Sequence, residues 1–582
     1  MTQQTPHTPT APIGVVGLGS VGEALLLLLR AAGHPVVGVD TDLDALARVG
    51  TRAKASPAPE GTPDPVLTDD LTRLGGVRLA VEAVPEDRAV KTGVLRRITE
   101  VCPPGTPLLT TTATLSVARL GIASGRPADL AGLRLFTPPA PGGPAEPVPT
   151  CLTSAQATAA VRELVASAEL TEVEVGAGPA ADAAALVLGL LNRAVVLCSE
   201  GYASHEDVDT AMRLGCGLPA GPLETLDRIG LDTAHAALTD LWRRTGDTAF
   251  EPAPLLSRMV AAGRLGRKSG DGFYTYDETG APVRERSDAP QETGARPVRR
   301  VGVLGSGAMA RGIAEVTALA GHPTVLVARS AAKADAALES VAGSLTRAVR
   351  RGKVAPAARE AALDRLETAT GLDAFADCDL VIEAVAEDPD VKRAMFAALG
   401  EACAPGTVLT TTTSSLSVAA CAEASGRPAD VVGVHFFNPA PVMRLVELAH
   451  APGTDPGALA TARAFCRGLG KTVVECPDRT GFIVNSLLFP YLGAALALLD
   501  RPGADDRVVE RTDAAVERGF GYPMGPFALL DTIGLDVSLA IQHRLFDHFE
   551  TPEHEPSDAL ADLVSAGLLG RKNQRGLRTA AR

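Results

Sequence analysis

Short apolar runs rich in β-branched residues alternate with helical stretches in two separate parts of the chain. The first part has IGVV (13–16), PVVGVD (35–40) and VRLAVEAV (77–84); the second has VGVLG (301–305), TVLVAR (324–329) and CDLVIEAV (378–385). Such continuous runs, separated by stretches like EALLLLLRAAG (23–33), predict strands buried on both faces of a parallel sheet and joined by crossover helices. From about residue 179, and again from about 478, strand signals give way to long helices with apolar periodicity. A polar stretch, DETGAPVRERSDAPQETGARP (277–297), separates the two parts and reads as a linker.

The two parts are copies of one another. ASGRPAD occurs at 123–129 and at 424–430, and VEAVPED (81–87) and PGTPLLTTTATLSVA (104–118) recur at the same spacing of 301 as IEAVAED and PGTVLTTTTSSLSVA. LDRIGLD (226–232) and LGRK (265–268) recur 304 residues on, whereas Gly17 answers Gly305 at only 288. An ordered series of matches is the signature of internal duplication. The 13 residues gained early in the second copy fall in Ser330–Thr368, rich in Lys, Arg, Glu and Ala, and predict two helices. The matching Thr51–Pro65 is Pro-rich and is expected to be a plain loop. The expected layout is a sheet domain over 12–178, a helical domain over 179–278, a linker over 279–297, a second sheet domain over 298–477 and a second helical domain over 478–582.

Composition narrows the function classes. A chain of 582 residues exceeds one core. One Trp, five Tyr and 14 Phe leave little for stacking single-stranded bases, and a net charge of −14 disfavours a polyanion partner. No membrane partner is expected, because the five leucines 25–29 are too short to span a bilayer and 483–499 carries Asn485, Ser486, Pro490 and Gly493. The start MTQQTPHTPTAP lacks a basic and apolar leader. Nine cysteines without a CxxC pair fit reduced thiols and a cytoplasmic location. His543, His548 and His554 lack the spacing to share a helix face, so no metal site is expected.

Gly17-Leu-Gly19-Ser-Val-Gly22 follows a strand and opens a helix, with Asp40 ending the next strand. Glycines permit a tight turn and close approach of a pyrophosphate to helix N–H groups, while the acid suits a ribose 2′-hydroxyl. Copy two has Gly305, Ser306, Gly307, Ala308, Met309 and Ala310 in that place. The expected class is α/β, Rossmann-like dinucleotide-binding domains alternating with all-α domains in two tandem copies. Where copy one has Asp40, copy two has Ala328 followed by Arg329. Losing a carboxylate and gaining a guanidinium suits a 2′-phosphate, so NADP is expected for copy two and NAD for copy one.

A second constellation belongs to copy two alone. His435 ends one apolar run and Glu447 lies in the next, across a Pro-rich turn; such a pair makes a histidine a general base. HFFNPAPVMRLVE (435–447), TSSLS (413–417), DRTGFIVN (478–485) and GYPMGPFALLD (521–531) together resemble the L-3-hydroxyacyl-CoA dehydrogenase family, 3-hydroxybutyryl-CoA dehydrogenases in particular. The resemblance implies a catalytic His435–Glu447 pair, with Ser414 and Asn485 bonding the substrate oxygen. It implies Asn438, Glu387 and Lys392 as contacts to cofactor or substrate, and Ser344 and Arg351 as contacts to coenzyme A. Taken singly, Ser414 also fits a helix N-cap, Asn485 a buried polar group, and Glu387 with Lys392 a solvated pair.

In copy one His435 is answered by Arg134, Asn438 by Thr137, Ser414 by Ala113 and Asn485 by Ala184. Glu447 is answered by Glu146, but PGGPA (141–145) precedes it and is expected to break the strand. Together with the resemblance, this implies a nicotinamide-dependent dehydrogenase that interconverts an L-3-hydroxyacyl-CoA and its 3-oxoacyl-CoA, active in copy two only. The rivals are a related 3-hydroxyacid dehydrogenase acting on a non-CoA substrate, or a nucleotide-binding scaffold. The two helical domains are expected to pack on each other as an intrachain pseudo-dimer, with further homo-oligomerisation left open.

Overall fold

The structure, a computed structural model, describes residues 11–113, 115–136, 138–173, 177–283, 293–501 and 507–578. The first sheet contains β1 (Ile13–Val16), β2 (Val36–Val39), β3 (Val66–Thr68), β4 (Leu79–Glu82), β5 (Leu108–Thr110), β6 (Leu130–Leu135), β7 (Pro144–Val148) and β8 (Thr171–Glu172). A small antiparallel ribbon pairs β9 (Thr275–Tyr276) with β10 (Pro282–Val283). The second sheet contains β11 (Val301–Leu304), β12 (Thr324–Val327), β13 (Leu366–Ala369), β14 (Leu380–Glu383), β15 (Val408–Thr411), β16 (Val431–Phe436), β17 (Leu445–His450) and β18 (Thr472–Pro477). The sheets share one strand order, β3-β2-β1-β4-β5-β6-β7-β8 and β13-β12-β11-β14-β15-β16-β17-β18. Six strands of each run parallel, and the last two are reversed through an antiparallel hairpin. The apolar strands at the middle of each sheet are buried throughout, as helices on both faces require.

Two local expectations need correction. PGGPA does not break the strand: β7 forms and pairs Arg134 with Glu146. The glycines fall in the hairpin turn and Pro144 opens the strand. β8 reaches only Pro144 and Ala145, so Pro147 faces an edge where its missing N–H removes no ladder bond. Nor is Thr51–Pro65 all loop, since helix Leu43–Ala55 runs through its first five residues. The difference between copies is one of helix length: copy two has Ala331–Arg350 and then Pro356–Asp364 where copy one has that single helix. Residues 284–292 of the linker, Thr137 and the last four residues lie outside the described residues.

The helical parts lie against each other. Helix Ala177–Ser199 packs on Val484–Leu496 and Val508–Phe520, and helix His205–Cys216 packs on Val484–Leu496, β17 and β18. The contacts are reciprocal: a Cβ on Gly215 would meet Phe437 of copy two, and a Cβ on Gly519 would meet Phe136 of copy one. Arg479 stacks on Tyr202, 3.7 Å from the ring centre, and pairs with Glu200. The window Ala181–Ser199 has the length and composition of a bilayer span, with mean hydropathy 1.7, but 61% of it is buried inside the protein; the sequence reading did not anticipate it. Each helical part is also tied by a buried aspartate. Asp227 accepts the Phe273 and Tyr274 N–H groups, and Asp531 accepts those of Leu577 and Arg578. The Tyr274 hydroxyl donates to Asp209, where copy two has Arg578 near Asp513 at 3.5 Å.

Candidate active site

The hairpin β16–β17 sets the central pair. His435 and Glu447 are opposite one another in its register, so their side chains share a face. His435 Nδ1 lies 2.6 Å from Glu447 Oε2, and the carboxylate is completely buried. Glu447 Oε1 accepts the N–H groups of Ile483 and Val484 at 3.1 and 2.8 Å, at the start of helix Val484–Leu496. Both carboxylate oxygens are thus engaged, one by backbone and one by imidazole. With Nδ1 donating to Glu447, Nε2 is left as the proton acceptor. Gly481 and Phe482, with φ of +85° and +47°, make the turn that presents those two N–H groups.

Ser414 stands in the loop after β15. Its N–H donates to Glu387 Oε1 at 2.9 Å and its hydroxyl lies 3.3 Å from the same oxygen. Asn485 Nδ2 donates to the Ser414 carbonyl at 3.2 Å, which joins the loop to the helix carrying Asn485. Ser414 is not a helix cap; Ser417 caps helix Val418–Ala424. Glu387 is opposed by burial, but Lys392, the Thr413 hydroxyl, the Ser414 N–H and Arg544 outweigh it and hold its carboxyl below the usual range. Lys392 needs correction as a direct ligand contact. Its side chain is 1% exposed and lies 2.9 Å from both oxygens of Glu383 and 3.4 Å from Glu387, so it is neither solvated nor open to a ligand; it anchors Glu387.

Copy one preserves that anchor. Lys91 lies 2.9 Å from Glu82 and 3.7 Å from Glu86, Thr110 donates to Glu82, and Ala113 N–H donates to Glu86 at 2.9 Å. Above it the residues differ. Arg134 and Glu146 form a buried ion pair at 2.8 Å, and the Arg134 Nε donates to the Ala113 carbonyl at 3.3 Å.

The glycine loops fit a dinucleotide. Helices Ser20–Ala31 and Ala308–Leu319 start at Gly19 and Gly307 with no side chain capping them, and a Cβ on either glycine would meet open space. Gly17 and Gly305 have φ of +90° and +132°, and a Cβ on Gly22 would lie 1.8 Å from the Gly17 oxygen; Ala310 stands there in copy two. In copy one Asp40 accepts the Leu18 and Asp42 N–H groups. A cleft of about 910 Å³ runs from Gly17, Gly19 and Asp40 to Arg134. In copy two Ala328 is buried and Arg329 exposed. Asn438 is exposed in the β16–β17 turn, Ser344 bonds Glu315, and Arg351 is exposed at the end of helix Ala331–Arg350. Among the described residues no hydrogen bond joins Arg329, Asn438, Ser344 or Arg351 to the His435 network. Asp478 and Arg544 were missed from sequence: Asp478 accepts Val418 and Ala419 N–H groups, and Arg544 reaches Ser415. DRTGFIVN contained the first; nothing local marked the second.

Comparison with known proteins identifies the family. The model of the 3-hydroxyacyl-CoA dehydrogenase NAD binding domain matches residues 12–177 and 300–479. That of the 3-hydroxyacyl-CoA dehydrogenase C-terminal domain matches 183–276 and 481–580. A Mycobacterium tuberculosis H37Rv protein named 3-hydroxybutyryl-CoA dehydrogenase is 43% identical over 284 residues, 48% of this chain and 98% of its own length. An Escherichia coli K12 protein named 3-hydroxyadipyl-CoA dehydrogenase is 41% identical over 281 residues, 48% of this chain and 58% of its own. The solved structure of an E. coli K12 3-hydroxybutyryl-CoA dehydrogenase covers 96% of this chain and 99% of its own, with TM-score 0.55 and 21% identity, a likeness of fold. The chain belongs to the 3-hydroxyacyl-CoA dehydrogenase family and carries that family's pair of domains twice, in tandem.

Proposed function

We propose that copy two interconverts an L-3-hydroxyacyl-CoA, such as 3-hydroxybutyryl-CoA, and its 3-oxoacyl-CoA, and that copy one has no such activity. The observation that carries this is the buried His435–Glu447 pair beside Ser414 and Asn485, set against Arg134–Glu146 in copy one. His435 Nε2 takes the hydroxyl proton in oxidation and returns it in reduction, while Glu447 fixes the tautomer and balances the imidazolium. The Ser414 hydroxyl and the Asn485 amide donate to the substrate oxygen as charge builds on it. A nicotinamide, when bound, supplies or accepts the hydride. Gly305 through Ala310, Glu387 and Asn438 would hold its dinucleotide in copy two, and Arg329 would favour NADP(H). Gly17, Gly19, Gly22 and Asp40 would hold NAD(H) in copy one.

The division at 178/179 and 477/478 is read as nucleotide-binding and helical units. Ser344 and Arg351, on an arm that copy one lacks, are the proposed contacts to coenzyme A. The reciprocal packing of the helical parts supports copy one as a built-in partner of copy two, an intrachain pseudo-dimer. The test is reduction of 3-oxoacyl-CoA esters and of the free 3-oxo acids by the full chain, followed by nicotinamide absorbance. CoA esters are expected to turn over and free acids not; equal rates on both would overturn the CoA assignment.

A further inference from the structure

We infer that Arg544 is a positioning residue for the Ser414 loop, a role that rests on the catalytic reading of copy two. Arg544 lies on helix Leu535–Phe549 in the helical part, yet its guanidinium crosses to the sheet part. Nη1 donates to Ser415 Oγ at 2.9 Å and Nη2 to the Glu387 carbonyl at 2.6 Å. These acceptors flank Ser414: one is its neighbour, and the other belongs to the residue whose carboxylate receives the Ser414 N–H. The same guanidinium faces the Glu387 carboxylate and helps keep it ionised.

Three polar ties hold this loop to the helical part in copy two: Asp478 to the Ser417 hydroxyl and the Val418 and Ala419 N–H groups, Asn485 to the Ser414 carbonyl, and Arg544 to Ser415 and Glu387. The aligned positions in copy one are Ala177, Ala184 and Asp240, and Asp240 accepts from Arg244 on its own helix at 2.7 Å. The lower anchor survives there, with Thr112 and the Ala113 N–H on Glu86. These bonds to Glu86 form in copy one without an arginine from its helical part. What the arginine adds is a planar, two-pronged clamp that fixes where the Ser414 hydroxyl points relative to Asn485. A loss of aim of about 1 Å costs up to about 10²-fold in rate without loss of fold.

The experiment compares Arg544→Ala and Arg544→Lys with the wild-type full chain, reading kcat, both KM values, thermal midpoint and hydrogen exchange over 410–420. For Arg544→Ala the expected result is a kcat about tenfold lower, an unchanged KM for the nicotinamide cofactor, and faster exchange at 413–419 with 484–496 still protected. Arg544→Lys, which keeps one donor to the loop, falls between the two, and Asp240→Ala in copy one changes neither reading. Unchanged exchange at 413–419 overturns the inference, as does a parallel fall of kcat and thermal midpoint that lysine does not relieve. A wild-type chain that reduces no 3-oxoacyl-CoA overturns the catalytic reading instead, and the exchange measurement still decides whether Arg544 holds the loop.

Discussion

At the end of β16, copy two holds His435 against Glu447; at the end of β6, copy one holds Arg134 against Glu146 in the same antiparallel register. Beneath both pairs the framework is alike, Lys392 with Glu383 and Glu387, and Lys91 with Glu82 and Glu86. A buried carboxylate stays only if something neutralises it or donates to it. Copy one retained the carboxylate, and the basic group that replaced histidine is one that cannot give up its proton. Copy one thus has a permanent cation where copy two has a titratable partner, with the strands left in place. The partner's identity decides chemistry; the charge balance decides whether the hairpin folds.

The widest separation between copies is expected in turnover. His435→Ala is expected to lower kcat by about 10²- to 10⁴-fold, and Glu447→Gln to impair it through the wrong tautomer. Arg134→Ala is expected to leave kcat near the wild-type value, because Ala113 and Ala184 give copy one no donor for a substrate oxygen. Steady-state rates with a 3-oxoacyl-CoA decide it. An active His435→Ala chain would break the comparison at its root.

Stability reverses the ranking. Glu146→Gln strands the Arg134 guanidinium in a site where its side chain is 3% exposed, and the expected cost is about 3 kcal/mol with kcat unchanged. The double change Arg134→Leu/Glu146→Met removes both charges and is expected to recover most of that loss. Denaturant midpoints of the two variants check this. A midpoint unmoved by Glu146→Gln would mean that the ion pair contributes nothing to copy one's fold.

A third difference is a buried titration. His554 stacks on Phe549 and bonds Thr551; burial, then Arg193, Arg479 and His548, push its pKa down to about 3 from 6.5. The aligned residue of copy one is Phe250. Because the unfolded chain takes up the proton first, stability is lost as the pH falls from about 6.5 toward 3. At pH 5 the loss reaches about 2 kcal/mol. His554→Phe removes that loss, so thermal midpoints of wild type and variant are expected to diverge between pH 7.5 and 5. Equal pH dependence in the two proteins would place the acid sensitivity elsewhere.

The duplication, the strand runs, the helical arm and the His435–Glu447 pair were legible because each rests on local spacing: a β-hairpin register, a glycine turn, a helical period. Glu146 was misjudged because a proline is harmless on an open strand edge, and edges are a property of the whole sheet. Lys392 was expected to contact cofactor or substrate; its burial against Glu383, only nine residues earlier, depends on how its helix packs on β14, which spacing does not show. Arg544, some 130 residues beyond Ser415, has no local signal at all; only the absence of its counterpart in copy one marks it. Helix Ala177–Ser199 shows the converse, a composition that suits a membrane and a position inside the protein.

The smallest expected difference concerns the dinucleotide. Asp40 accepts two backbone N–H groups and faces the copy-one cleft, where a carboxylate suits a free ribose hydroxyl and repels a phosphate. Copy two has no carboxylate there, and Arg329 is exposed beside the buried Ala328, so its guanidinium is free to meet a 2′-phosphate. Since the phosphate contact is solvent-facing, its share of binding is modest, about 1.5 kcal/mol, or roughly tenfold in preference. The measurement is kcat/KM with NADPH and NADH for the wild type and for Ala328→Asp/Arg329→Thr. The wild type is expected to favour NADPH and the double variant to shift the ratio about tenfold toward NADH. Salt sharpens the reading, because an exposed charge contact weakens as ionic strength rises, so the wild-type preference is expected to narrow at high salt while that of the variant holds. A wild type that prefers NADH, or a ratio that the double change leaves in place, would show that the end of β12 does not choose the cofactor.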